Sequence, residues 1–198
     1  SGSADTRGAT PARLGGVPDV LTAQTGGASQ PASDARPGAG LGLATVPNLR
    51  DVGGWPTRAG VRVVSGVLYR STDLSRLSGP DIPAFTELGI RSVFDLRTVG
   101  ERAAAPDVLP EGTGYTALDV LADSTMAVPA DLMALLADPP TATAALTGQR
   151  VTDLLDSAYR EIIALPSALA SYRTLYCDLA GGHRLPALVH CTMGKDRT

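Results

Sequence analysis

The chain has 198 residues and a mass of 20.3 kDa, and its 17 basic against 20 acidic side chains leave a net charge of −3, which suits about one domain. Hydrophobic residues at 43% and charged residues at 19% place it among globular proteins, and no apolar run approaches the ~18 residues needed to span a bilayer. The mild acidity and the absence of a Lys/Arg cluster argue against a nucleic-acid surface.

Residues 1–40 hold no aromatic side chain, and Gly and Pro supply 12 of them. Such a composition cannot bury enough apolar area to offset chain entropy, so it reads as a flexible extension. It shows no basic n-region followed by an apolar h-region. Ala/Gly/Pro/Thr-rich stretches also precede exported domains, so secreted and cytoplasmic locations both stand open. From Leu41 to Thr198 short apolar runs alternate with helical patterns, the texture of one α/β domain.

In chain order, Val61–Val64 and Val67–Tyr69 read as a hairpin-like entry that ends in Arg70-Ser71. Ser78–Leu88 carries Ser-x-x-Asp ahead of Ile82, Phe85 and Leu88 at helical spacing, which predicts a side-chain-capped helix. Ile90–Leu96 and Tyr115–Leu121 read as strands. Pro129–Leu136 and Val151–Leu165 read as helices, split by Asp138-Pro139-Pro140. Ser167–Leu179 reads as a further helix closed by Gly181-Gly182, and Leu185–His190 as a strand buried on both faces.

That strand runs into His190-Cys191-Thr192-Met193-Gly194-Lys195-Asp196-Arg197-Thr198. A Cys and an Arg with five residues between them at a strand end can turn successive backbone N–H groups toward one anion. The same dipoles stabilise a thiolate, and the Arg fork takes two phosphate oxygens. A nucleotide-binding loop G-x-x-x-x-G-K-[ST] fails, because Val189 stands where its first Gly is needed and Asp196 where its hydroxyl belongs. A sulfurtransferase loop requires neither the preceding His nor the Arg. Cys177, Cys191, His183 and His190 are too few and wrongly spaced for a zinc site. Lys195 is the single lysine beside 16 arginines.

The loop resembles the signature of the cysteine-based protein tyrosine phosphatases. Together with Asn48-Leu49-Arg50-Asp51-Val52-Gly53-Gly54, Leu68-Tyr69-Arg70-Ser71 and Phe94-Asp95-Leu96-Arg97, it resembles the bacterial branch of that family, the actinobacterial and mycobacterial PtpB-like enzymes, from about Val46 to the last residue. The resemblance implies Cys191 as nucleophile forming a phosphocysteine, and Arg197 as the phosphoryl clamp. It implies a phosphate cradle from Thr192, Met193, Gly194, Lys195 and Thr198, with His190 orienting the loop and the Thr198 hydroxyl facing the sulfur. It calls for no metal or other cofactor. Lys195 would lie at the pocket mouth and favour highly anionic substrates.

The leaving group still needs a proton. Trp55-Pro56 is followed by Thr57, so the Trp-Pro-Asp loop of many tyrosine phosphatases is absent in its usual form. Asp196 and Asp95 are the leading candidate acids, with Asp119 and Asp123 as other positions after a strand. Residues 125–160 resemble the helical lid of this group, or else form an ordinary helical excursion on the sheet. In the resembling enzymes the loop is followed by a long helix, so the 198 residues are expected to be a fragment, inactive alone and completed by a missing C-terminal segment or a second chain.

Cys177 is expected as a buried small hydrophobe rather than a resolving thiol for Cys191, and His183 as a surface loop residue. Asp51 and Arg50 are expected to pin the Gly53-Gly54 turn. Arg70 and Arg97, each at a strand end, either make ion pairs or reach substrate. The fold expected is α/β, a mostly parallel sheet with helices on both faces and the site at a strand's carboxyl end. The function expected is hydrolysis of phosphomonoesters, protein phosphotyrosine first, with phosphoinositides and phosphoserine/threonine open. A non-catalytic phosphate-binding module is the alternative class.

Overall fold

The computed structural model describes residues 36–125 and 149–198. It contains β1 (Arg50–Asp51), β2 (Leu68–Ser71), α1 (Asp81–Glu87), β3 (Ser92–Asp95), α2 (Val99–Ala104), β4 (Gly114–Ala117), α3 (Gln149–Ala164), α4 (Pro166–Gly181) and β5 (Ala187–His190). The predicted extension and the helix at Pro129–Leu136 lie wholly or mostly outside the described residues, as does most of the lid at 125–160. Described structure already begins inside the extension, where Ala39 N–H donates to Arg36 O and Gly40 bridges Arg50. No helix among the described residues is long and apolar enough to cross a membrane.

The five strands order β1-β2-β5-β3-β4, with β1 antiparallel to β2 and every other pairing parallel. The last strand in sequence is thus the central one. β3 and β5 are buried at every position, as strands covered on both faces must be. Their alternate residues feed two cores. Val93 and Leu188 face one way with Tyr69, Leu74 and α1's Phe85; Phe94, Ala187 and Val189 face the other with α4's Ala168 and Leu175. Each fully buried Leu or Phe contributes about 1.5–3 kcal/mol, so helices on both faces follow from the period-2 pattern of these strands.

Three local expectations are corrected. The helix predicted from Ser78 starts at Asp81 behind Pro80, with no side-chain cap. The Asp81 carboxylate instead accepts from the Thr45 N–H and hydroxyl, both at 2.7 Å, which ties α1 to the segment before β1. Val61–Val64 do not pair with Val67–Tyr69. They fold back on residues 54–57, with Val63 N–H on Trp55 O and Gly54 N–H on Val63 O, because the chain reverses at Gly60. Cys177 is exposed on α4 rather than buried.

α4 begins with Pro at its first turn and ends on Gly182 at φ 75°, the left-handed closure expected of the Gly181-Gly182 pair. α2 had no counterpart in the sequence reading. Thr98 caps it in a reciprocal box with Glu101, a Thr-x-x-Glu signal hidden by the brevity of the helix.

Candidate active site

The chain leaves β5 between the carboxyl ends of β2 and β3, whose Ser71 and Asp95 both register with His190. Residues 191–198 then make a compact loop, and its carbonyls are tied outward one after another. Thr192 O accepts from Asp73 N–H at 3.2 Å. Met193 O and Gly194 O accept from Asn48 Nδ2 at 3.1 and 3.2 Å. Arg70 donates to Gly194 O at 2.8 Å and to Lys195 O at 3.2 Å, and the Tyr172 hydroxyl on α4 to Arg197 O at 2.9 Å. His190 Nδ1 lies 3.3 Å from Cys191 O. With the carbonyls held outside, peptide N–H groups face the centre; those of Lys195 and Arg197 reach the Cys191 sulfur.

Cys191 is 2% exposed. Burial pushes its thiol up, but the Thr198 hydroxyl, those two N–H groups and the Arg197 charge outweigh it and hold the group below the ordinary thiol value. The buried Thr198 hydroxyl makes no other hydrogen bond and lies close enough to the sulfur to favour its anion. This is the environment that produces a thiolate nucleophile.

Arg197 is held by a residue the sequence reading did not single out. Glu101, in the first turn of α2, accepts from both terminal nitrogens of Arg197 at 2.6 Å and also from the Thr192 hydroxyl. Its second oxygen accepts from Thr98 N–H and Oγ1 at 2.9 and 3.0 Å. Burial raises the Glu101 carboxyl, yet these donors bring it down to about 2, so it stays an anion. One N–H of each terminal nitrogen goes to Glu101 and Nη2 also reaches the Thr192 hydroxyl at 3.3 Å, which leaves Nε and the second Nη1 hydrogen of the fork to meet an anion.

Asp95 is corrected as a candidate acid. It is fully buried and turned to the Arg97 side chain, at 3.0 and 2.7 Å, with Tyr115 Oη donating to it at 2.6 Å. Burial raises its carboxyl, but Arg97, His190 and Tyr115 together carry it below the usual range, and with both oxygens engaged away from solvent it has no face to present to a leaving group. Arg97 is therefore an ion-pairing residue and does not reach substrate. Asp119 accepts from Val99 and Leu121 N–H, and Asp123 from Ser167 N–H, as end-caps. Asp196 alone of the four acidic candidates lies in the loop, with its side chain 36% exposed, 3.3 Å from Lys195 Nζ. Lys195 and Met193 are exposed at the mouth.

The earlier motifs support the loop from behind. Asn48, at φ 65°, and Arg70 clamp its carbonyls, and among the described residues Arg70 makes no ion pair and spends one end of its guanidinium on the loop. Asp51 pins the turns around it, accepting from Gly53 N–H at 2.7 Å and Gly66 N–H at 2.6 Å, as expected. Arg50 hydrogen-bonds Asn48, and His183 is exposed as read. Under the loop, His190 Nε2 is 3.1 Å from Asp107 Oδ2, and Arg97 is 2.7 Å from Asp95 and 2.9 Å from Asp107. Asp95, Asp107 and His190 place ligand atoms within 4.8 Å of one another, but the Arg97 guanidinium already supplies the cation that binds both carboxylates.

The sequence profile of the tyrosine phosphatase family matches residues 41–198. The chain belongs to the tyrosine phosphatase family. Its relatives include a Cupriavidus necator protein provisionally named a tyrosine-protein phosphatase, 33% identical over 80% of this chain and 53% of that protein. A Nostoc commune tyrosine-protein phosphatase is 27% identical over 72% of this chain and 43% of its own length. The triple specificity protein phosphatase PtpB of Mycobacterium tuberculosis is 31% identical over 76% and 57%. The chain thus spans about half the length of the relatives it matches. Within this phosphatase family the loop of residues 190–198 is the candidate active site.

Proposed function

We propose that the protein hydrolyses phosphomonoesters, protein phosphotyrosine first, through a phosphocysteine on Cys191. The reading rests on one observation: a buried, electrostatically lowered thiol at the centre of a loop whose carbonyls from Thr192 to Lys195 are tied outward and whose Arg is locked by Glu101. Such a cradle is preorganised for the charge that develops on a transferring phosphoryl group. In the first step the S–P bond forms as the ester P–O bond breaks, and Asp196 passes a proton to the leaving oxygen. In the second, water attacks phosphorus, Asp196 takes its proton, and the S–P bond breaks to return the thiolate. Nucleophile, clamp and acid all come from the chain, so the scheme calls for no metal.

The exposed ammonium of Lys195 beside the pocket favours a second reading within the same chemistry, multiply charged substrates such as phosphoinositides and a broadened specificity. The similarity to the triple specificity relative agrees with this and with a place near the mycobacterial PtpB-like branch.

Phosphate release from an aryl phosphate by the complete gene product in chelator-containing buffer tests it. Wild type should turn over, and Cys191→Ser should lose turnover while still binding vanadate or phosphate. Binding by both proteins with turnover by neither would favour a phosphate-binding module instead.

A further inference from the structure

Tyr159 lies on α3, 37 residues before the loop in sequence, and its hydroxyl donates to Asp196 Oδ1 at 2.6 Å. Lys195 Nζ approaches the same oxygen at 3.3 Å. Half of the Tyr159 surface is solvated, at 46% exposed, so the hydroxyl does not need this acceptor to escape burial. Helix α3 packs on α4, which in turn holds Arg197 O through Tyr172. The two helices thus hold the last residues of the loop from one side, and the phenol reaches the exposed carboxylate of Asp196.

We propose that Tyr159 is a positioning residue for proton transfer at Asp196, its hydroxyl fixing that carboxylate at the mouth of the phosphate cradle opposite Lys195. The inference rests on the reading of Asp196 as the acid. A free Asp side chain turns among its rotamers, and a proton donor works only within hydrogen-bond reach of the leaving oxygen. Anchoring one carboxylate oxygen to Tyr159 leaves the other to carry the proton. Among the described residues, the titratable or charged groups facing Asp196 are Tyr159 from α3 and Lys195 and Arg197 from the loop. Each favours its anion, Tyr159 the most, so the carboxyl rests below its ordinary value. Removing the phenol should therefore loosen Asp196 and also raise the pH at which it keeps its proton.

The test compares phenyl phosphate, whose leaving group needs a proton, with 2,4-dinitrophenyl phosphate, whose leaving group does not. Tyr159→Phe should lower kcat about tenfold on the first and less than about twofold on the second, a share of the ~10²–10⁴ that general acids supply. The basic limb of kcat on phenyl phosphate should move to higher pH, with inhibition by inorganic phosphate unchanged. Equal losses on both esters, or an unmoved limb, overturn the role of Tyr159. Asp196→Asn serves as control: a loss without leaving-group dependence would overturn Asp196 as the acid, and the Tyr159 role with it. Absence of turnover in wild type would overturn the proposed function alone. In that event carboxyl ¹³C NMR still decides, because Asp196, assigned by its loss in Asp196→Asn, must titrate lower in wild type than in Tyr159→Phe. Identical titrations sink the proposal.

Discussion

A methyl group on Gly194 would fall on the Ser71 carbonyl and crowd Thr72 N, all backbone atoms that cannot swing away, and φ there is +62°. Gly194→Ala must therefore push the loop off β2 or bend its peptide planes, breaking the clamp that Arg70 and Asn48 place on its carbonyls. The expected result is a loss of kcat/KM of about 10²-fold or more, the scale of losing one oxyanion donor, with a folded protein by circular dichroism. Wild-type activity in this variant would mean that the carbonyl clamps do not set the cradle. The lowered Cys191 thiol makes a separate prediction. In a Cys177→Ser background, iodoacetate should alkylate Cys191 at lower pH than it does an ordinary thiol, and Thr198→Ala should shift that profile upward, because the hydroxyl is the largest of the influences that favour the thiolate. An unchanged profile would remove Thr198 from the site. Cys191 and Arg197 were legible in the sequence because they share one loop with fixed spacing. Glu101 was not, since it lies 96 residues from the Arg it holds and its local signal reads equally well as a helix cap.

At the level of elements, the carboxyl ends of β3 and β5 are joined by charge rather than by apolar packing. Arg97, Asp95, Asp107 and His190 are all nearly or wholly buried and touch one another under the loop. Breaking such a set by removing one partner leaves buried charge uncompensated, at about 3–5 kcal/mol. Arg97→Leu, which strands two carboxylates, should lose that much or fail to fold. Asp107→Asn keeps the shape and the Leu74 N–H bond, and should fold with a smaller loss in urea titration; equal stability of both variants with wild type would show the network to be idle. The strands of this fold were legible where burial forces a short apolar run, as at β3 and β5. The two-residue β1 carries no periodicity to read. Ser78 misled because Gly79-Pro80 intervenes, and Pro80, with φ at −68°, occupies the place of the capping side chain.

For the whole molecule, the site and the stability are linked through the same carboxylates. Glu101, brought down to about 2, and Asp95, also below its ordinary value, are anions in the folded state at pH values where the unfolded chain binds protons. A depressed carboxyl contributes its stability above the unfolded pKa, near 4 for such groups, and the contribution disappears as pH falls through the folded value. Stability should therefore be flat from about pH 7 to 5 as far as these two groups are concerned, fall steeply below about 4.5, and have lost the Glu101 share near 2. Glu101→Gln should cost about 1–3 kcal/mol at pH 7, since its side chain is 33% exposed and partly screened. Its curve should then run flatter between pH 4.5 and 2.5, approaching wild type at the acid end. Urea midpoints at half-unit steps over that range distinguish the cases. Parallel curves for wild type and Glu101→Gln would mean that the Glu101–Arg197 pair organises the loop without stabilising the fold. The pair joins α2 to the end of the central strand's loop, so a parallel result would also separate the cradle's geometry from the cooperativity of the domain that carries it.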